Sequence, residues 1–491
     1  MLIESANPNS EQQSHRRSPE PAADRPTYVR YVVLAMVCSL SMITYLDRVC
    51  FGSAAPEIAE ALSLGGVSDL KWAFTAFALA YAIFEIPSGW LGDRWGPRGV
   101  LIRIVSWWSI CTILTGMIGL RFAGITLGGL GSLIVLRFLF GAGEAGAYPN
   151  ITRTIHNWFP PTQWEHAQGM IWMTGRLMGG LTPLLWAILV GTGAFSLPLL
   201  SWRGAFYLFG GIGLIWCFGF ALWFRNRPSE HPGVSQAEQA LIGSRTHHGE
   251  SHGGIPWRNL LASRSLLALC LMYALVTFVW IFNITYLPSY LQERFAIPKG
   301  DMLGAIYGGA PLWVGAIGCL AGGSVVSYLA RRSGDRRRAR RVLGVGAMAL
   351  CSGFWIGALY SPNIHVFCIL VAASAFCIDL TIGSAWATCQ DLGQRHAGVT
   401  AASMNMVGTF GAALAGWLTG TLIETSVAAR AAVLQVTVEQ LPTLEKHAAV
   451  LHGYDWLFMI NVGVFVTAAV CWCFIDASKP IVPETTPSMA E

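Results

Sequence analysis

Gly89-Trp90-Leu91-Gly92-Asp93-Arg94-Trp95-Gly96-Pro97-Arg98 interrupts two long apolar runs, and this short polar joint governs how the chain must fold. Gly89 and Gly96 carry no side chain, so helices can approach closely around them. Asp93, Arg94 and Arg98 bring both signs of charge to the helix ends, where they are expected to pair. Outward from this joint the sequence is too apolar for a soluble domain: 54% of its 491 residues are hydrophobic and 12% charged, against about 25% charged in ordinary soluble proteins. A bilayer core about 30 Å thick takes about 20 apolar residues per helix. Twelve runs approach that length, beginning near Tyr31, Lys71, Arg98, Leu133, His166, Gly204, Arg264, Leu303, Val342, His365, Val399 and Asp455. None alternates with period two, as strands of a transmembrane barrel would. The chain reads as an all-α polytopic membrane protein.

The net charge of +5 is modest, but most Lys and Arg fall in segments that a cytoplasmic amino terminus would leave inside. Both termini are therefore assigned to the cytoplasm. Arg331, Arg332, Arg336, Arg337, Arg338, Arg340 and Arg341 read as a positive-inside loop. Without interleaved aromatics the tract does not suit single strands, and nucleic acid is not an expected partner. Residues 1–29 read as a disordered cytoplasmic tail without a cleavable signal, and 477–491 as a second tail. The twelve cysteines are scattered and read as small apolar packing residues.

The longest polar interruption, 226–262, reads as a cytoplasmic loop dividing the spans six and six, between bundles expected over 30–225 and 263–476. Within it His247, His248 and His252 read as part of a solvated linker rather than a metal site, because no rigid frame fixes ligand geometry. Equal halves suggest an internal duplication, with a site between them near the midplane. The second-half counterpart of the opening joint, 323–341, keeps Gly323, Gly334, Asp335, Arg336 and Arg340 in looser spacing.

Several charges lie where a membrane span forbids them. Asp47 and Arg48 sit in the first run, one turn after Tyr45, while Arg137 and Glu144 share a face of the fourth, two turns apart. Such groups are costly in hydrocarbon unless they face a protein-lined cavity, so each is a site candidate. Arg48 offers a planar fork that stays charged, suited to a carboxylate. Asp47 and Glu144 are suited to carry protons, because burial favours the neutral acid and a neighbouring Arg the charged one. An anion on Arg48 would weaken that field and favour protonation, and such coupling is reciprocal. In the competing structural reading, Arg48 merely neutralises Asp47, and Glu144 satisfies Arg137.

The joint at Gly89 to Arg98 resembles the loop signature of the major facilitator superfamily. Four further passages are similar to its anion:cation symporter branch, which includes sugar-acid carriers, phthalate permeases and the sialin/vesicular glutamate transporters. These are Tyr45-Leu46-Asp47-Arg48, Tyr81 through Ile86-Pro87-Ser88-Gly89, Arg137 through Glu144 to Tyr148-Pro149, and Asn157-Trp158-Phe159-Pro160. The resemblance implies twelve transmembrane helices in two pseudo-symmetric six-helix bundles that rock about a central site. It also implies that Arg48 meets the substrate carboxylate, that Asp47 and Glu144 are protonated, and that Asn283, Tyr286 and Asn405 face the substrate.

Two positions depart from the branch. Glu85 stands where Gln is expected before Ile86-Pro87, as a third proton site, a partner for a cation, or a hydrated residue near the cytoplasmic end. Arg176 lies mid-span where related carriers place an uncharged donor; it either grips a second acid group or pairs with Glu85, Glu144 or Asp379. Asp379 is a further proton candidate, and Tyr45, Tyr81 and Tyr148 bring hydroxyls suited to a wet cavity wall. Asp391 and Arg395 look like a gate pair. The stretch from Glu424 to Tyr454 is expected to form an amphipathic helix on the external face.

Without a G-x-x-x-x-G-K-[ST] motif or a nucleophile-base pair, neither ATP-driven transport nor catalysis is expected, and no cofactor is implied. The leading reading is uptake of an organic anion, such as a sugar acid, with protons, by a monomer in a bacterial inner membrane. Export, antiport, sodium coupling and a transporter-like sensor are the alternatives.

Overall fold

The computed structural model describes residues 25–122, 125–191, 199–243, 254–298 and 301–482; most of the first tail, residues 483–491, and His247, His248 and His252 lie outside them. Among the described residues twelve long helices follow one another: α1 (Val29–Ser53), α2 (Lys71–Trp95), α3 (Pro97–Met117), α4 (Leu130–Trp158), α5 (Trp164–Leu189), α6 (Trp202–Trp223), α7 (Arg264–Phe295), α8 (Met302–Ser333), α9 (Arg336–Leu359), α10 (Ile364–Gly393), α11 (Ala397–Val433) and α12 (Thr443–Phe474). Their starts are written in the sequence as caps. Ser201, Ser263, Asp301, Asp335 and Asn363 each accept a backbone N–H of the helix that follows, satisfying donors the first turn would leave unpaired. All but α5 fall within stretches apolar enough to cross a bilayer; α5 is diluted by Glu165, His166, Gln168 and Arg176. A short antiparallel hairpin, Leu120–Phe122 with Ile125–Leu127, joins α3 to α4.

Two helices are not regular. α4 breaks at Gly146, whose φ of 85° only glycine adopts without strain; Asn150 Nδ2 donates to the carbonyls of Gly146 and Ser88 at 2.8 and 3.2 Å and holds the break. α7 widens into a π turn over Phe282–Tyr286, because Pro288 has no N–H for the carbonyl of Ile284.

Packing repeats between the halves. In the first, α1 lies against α5, α2 against α4 and α3 against α6; in the second, α7 against α11, α8 against α10 and α9 against α12. Across the interface α2 meets α11, and α8 meets α5. Advancing every helix by six maps this pattern onto itself, which is the signature of two pseudo-symmetric bundles.

The bundles close on each other at the side bearing the chain termini. Gly89 and Gly398 face each other so tightly that a Cβ on either would lie 2.6–2.7 Å from the other's carbonyl oxygen. Asp93, at the end of α2, accepts the N–H groups of Gly398 and Val399 at 2.9 and 2.8 Å; it caps α11 from the opposite bundle. Arg153 Nη1 lies 3.6 Å from Asp93 and donates to the carbonyls of Gln394 and Arg395 at 3.1 and 3.0 Å. The second clasp is Glu165, at the start of α5, which takes Arg336 at 2.5 Å and Arg340 at 2.7 Å. Arg340 also reaches Asp391 at 2.5 Å.

Three expectations are corrected. The arginine tract is no loop: Arg331 and Arg332 close α8, a turn at Gly334 and Asp335 follows, and Arg336 begins α9, because Asp335 caps a new helix there. Arg94 does not pair with Asp93 but lies exposed over the Trp90 ring at 5.2 Å, while Arg98 ties α3 to α6 through the Ala221 carbonyl. No separate helix forms within Glu424 to Tyr454. α11 and α12 simply run on, meeting through Val427, Ala431, Leu441 and Ala449 and an Arg430–Glu445 pair at 2.6 Å.

Candidate functional site

A cavity of about 1110 Å³ lies between the bundles. Its walls reach Ile297, Pro298, Asp301 and Met302 at the α7–α8 connection, so it opens away from the sealed, terminus-bearing side. Tyr45, Arg48, Tyr81, Tyr148, Arg176 and Asn405 line it, and the remaining sequence candidates stand behind or away from that wall.

Arg48 lies on the wall, its side chain 28% exposed and its guanidinium 4.6 Å from the Tyr81 ring centroid. Its Nε donates to Glu144 at 2.5 Å, whereas Nη2 is buried without a partner. Glu144 is 1% exposed and its second oxygen is likewise unpartnered. The adjacent acid, Asp47, points elsewhere. It is 2% exposed, its oxygens make no hydrogen bond, and its charged neighbours are Glu144 and Arg137. Among the described ion pairs Arg48 is matched to Glu144, not Asp47.

Arg137 is the clearest displacement from expectation. It lies outside the cavity, with its guanidinium 3.9 Å from the Phe51 ring and 4.9 and 4.8 Å from those of Phe77 and Phe140, a cation–π enclosure rather than a substrate contact. Helix spacing put Arg137 and Glu144 on one face, but the rings of α1 and α2 that fill that space were not visible in spacing.

Arg176 is paired with Asp379 of the opposite bundle, Nε and Nη2 each at 3.0 Å from one carboxylate oxygen, and Nη1 donates to the Tyr45 hydroxyl at 2.9 Å. Trp280 lies beneath it at 3.7 Å. Glycines make room: a Cβ at Gly315 would strike Asp379, and one at Gly175 the Tyr45 ring. Glu85 is fully buried, not hydrated at a helix end. It accepts from Asn405, whose amide also reaches the Tyr81 hydroxyl at 3.3 Å. Tyr148 stacks on Trp172 at 4.5 Å and shares a hydrogen bond with Ser41 at 3.0 Å.

Of the expected polyol contacts, Asn283 and Tyr286 do not reach the cavity. The Tyr286 hydroxyl donates to the Gly416 carbonyl at 3.0 Å and joins α7 to α11; Asn283 is buried in the π turn with its amide unpartnered. Sequence reasoning missed Trp172, Trp280 and Trp313 as wall residues. Trp172 was the one with a signal, four residues before Arg176 on one helical face. It also missed Arg153 and Glu165, which face the opposite bundle.

The chain matches the model of the Major Facilitator Superfamily over residues 37–416. It is 32% identical over 380 residues to a probable sulfoacetate transporter of Cupriavidus necator, covering 77% of this chain and 83% of that one. It is 30% identical over 398 residues to a hexuronate transporter of Bacillus subtilis, covering 79% and 87%. A solved proton:xylose symporter superposes with a TM-score of 0.70 over 92% of this chain and 96% of the other, at 12% identity. The doubled six-helix pattern, the inter-bundle cavity and the match across both halves lead to one conclusion: this multi-pass membrane protein belongs to the major facilitator superfamily.

Proposed function

We propose that the protein is a secondary active transporter that takes up an organic anion with protons by alternating access, in a bacterial inner membrane with both termini cytoplasmic. On that orientation the structure is outward-facing. The observation that carries the reading is Arg48: a guanidinium on the cavity wall, held through Nε alone by a buried carboxylate, with Nη2 unsatisfied. A substrate carboxylate docking there competes with Glu144 for the same cation. When Glu144 takes a proton from the cavity water, Arg48 is released to the substrate, and the substrate's charge in turn favours that proton. Asp47 acts at one remove, setting the field around Glu144 together with Arg137.

Rocking then breaks one seal and makes another. The Asp93–α11 cap and the Glu165–Arg336/Arg340 clasp must open for release on the other side, while residues 30–225 and 263–476 move as bundles. The relatives' names, for carriers of sulfoacetate and hexuronate, support an anionic substrate.

The test is uptake into proteoliposomes under an imposed pH gradient, inside alkaline, across a panel of carboxylates. The wild type should concentrate at least one anion and carry protons with it. Glu144→Gln should accumulate the anion less under the gradient, having lost the proton that Glu144 carries, yet still exchange labelled for unlabelled anion. Equal gradient-driven accumulation by Glu144→Gln, or uptake indifferent to the gradient, overturns the mechanism.

A further inference from the structure

Two guanidinium groups line the cavity, and each is already matched by a carboxylate of its own. Arg48 is held by Glu144 and Arg176 by Asp379, and neither acid is part of the cavity wall. The two cations are neighbours. Arg176 donates to the Tyr45 hydroxyl, and Tyr45 lies three residues before Arg48 on α1, on the same face. The site around the second pair is built for it: Gly315 vacates the volume that Asp379 fills, and Trp280 supports the guanidinium.

The wall is poor in the groups a polyhydroxylated chain would need. Asn283 and Tyr286 lie elsewhere, and the Asn405 amide is spent on Glu85 and Tyr81. Besides the tyrosines, the polar side chains left are Gln292 and Asp301 near the α7–α8 connection and Thr277, Thr381 and Thr409, whose hydroxyls already donate to backbone carbonyls, among residues such as Trp313 and Met272.

Resting on the anion-symport reading above, we infer that the substrate is a compact dianion with two acid groups, one docking on Arg48 and the other on Arg176. Each substrate acid group replaces a resident carboxylate, which leaves its arginine as the neutral acid. The protons come from the cavity water, one to Glu144 and one to Asp379. Around Asp379 the facing groups are Arg176, which also holds the Tyr45 hydroxyl, and the Cys319 thiol; around Glu144 they are Arg48, Arg137, Asp47, Glu85 and the Tyr81 hydroxyl. The charge count closes. Empty, the two arginines balance two carboxylates; loaded, they balance the dianion while both acids are neutral. The carrier therefore holds the same charge in both states, and two protons accompany each dianion without net charge crossing the membrane. Because Arg176–Asp379 joins α5 to α10 across the bundle interface, its exchange for substrate also loosens a tie between the halves.

The experiment uses the full-length protein in proteoliposomes and three matched probe pairs: sulfoacetate with acetate, galactarate with galactonate, and phthalate with benzoate. For the transported pair, the dianion should half-saturate at a concentration at least about tenfold lower than its monoanion. Two protons should enter with each dianion, and the initial rate should be the same at zero potential and at about −100 mV set by potassium and valinomycin. The double variant Arg176→Gln with Asp379→Asn removes both charges, leaves no buried ion unpaired, and should collapse the preference to near unity. A monoanion carried as well as its dianion, one proton per anion, a voltage-dependent rate, or a preference kept by the double variant each overturns the dianion inference while leaving anion symport standing. No uptake of any probe by the folded wild type overturns both.

Discussion

Asp93→Asn removes one charge from a contact that holds the two bundles together, and its effect can be worked from the geometry. The carboxylate accepts Gly398 N–H at 2.9 Å and Val399 N–H at 2.8 Å, 4% exposed, at the positive end of α11. Asparagine keeps one acceptor oxygen, so one bond persists without its charge and the other amide faces a donor. Hydrogen bonds to a charged group are each worth about 1.5–3 kcal/mol, and the helix-end charge adds about 0.3–1 kcal/mol. A net loss of about 2 kcal/mol, felt by the sealed state alone, favours opening of the terminus-bearing side about 30-fold. Spin labels at Arg94→Cys and Arg338→Cys report that separation. Both positions are exposed and lie one in each bundle, and after Cys473→Ser the remaining eleven native cysteines are buried. Double electron–electron resonance should show a longer-distance population growing in Asp93→Asn. An unchanged distance distribution in a variant that is nonetheless less heat-stable would refute the argument, because Asp93 would then be stabilising the fold without gating it.

Glu165→Gln leaves Arg336 and the deeply buried Arg340 with one carboxylate fewer between them; breaking a buried pair from one side costs about 3–5 kcal/mol, and a thermal melt in detergent should fall by several degrees. Tyr286→Phe loses only its bond to the Gly416 carbonyl, about 1 kcal/mol. Because Tyr286 lies off the cavity, its transport KM should match the wild type, and a several-fold rise would return this residue to the substrate site.

How much of the site was legible in the sequence depended on what each residue had to meet. Arg48, Glu144 and Arg176 stood out because a charge within an apolar run is conspicuous whatever surrounds it. What each charge would face was not legible. Arg48 sits beside Asp47 in the chain yet bonds Glu144, 96 residues away, because neighbours along a helix point in different directions. Arg137 was conspicuous for the same reason and still proved to be wrapped in phenylalanine rings. Arg176 had three acids to choose among in the sequence, and α10 brought Asp379 to it.

The sequence by itself determined that the chain crosses a membrane, roughly where its helices start, and which joint returns the chain between α2 and α3. These follow from local composition: apolar length, caps, and small residues where backbones must touch. The tertiary structure alone decided which acid each arginine holds, that Asp93 caps a helix of the opposite bundle, and which side of the cavity is sealed. Those depend on contacts between distant residues, such as Asp93 and Val399, 306 positions apart, and such contacts exist only once two bundles have met in one of the arrangements their interface permits.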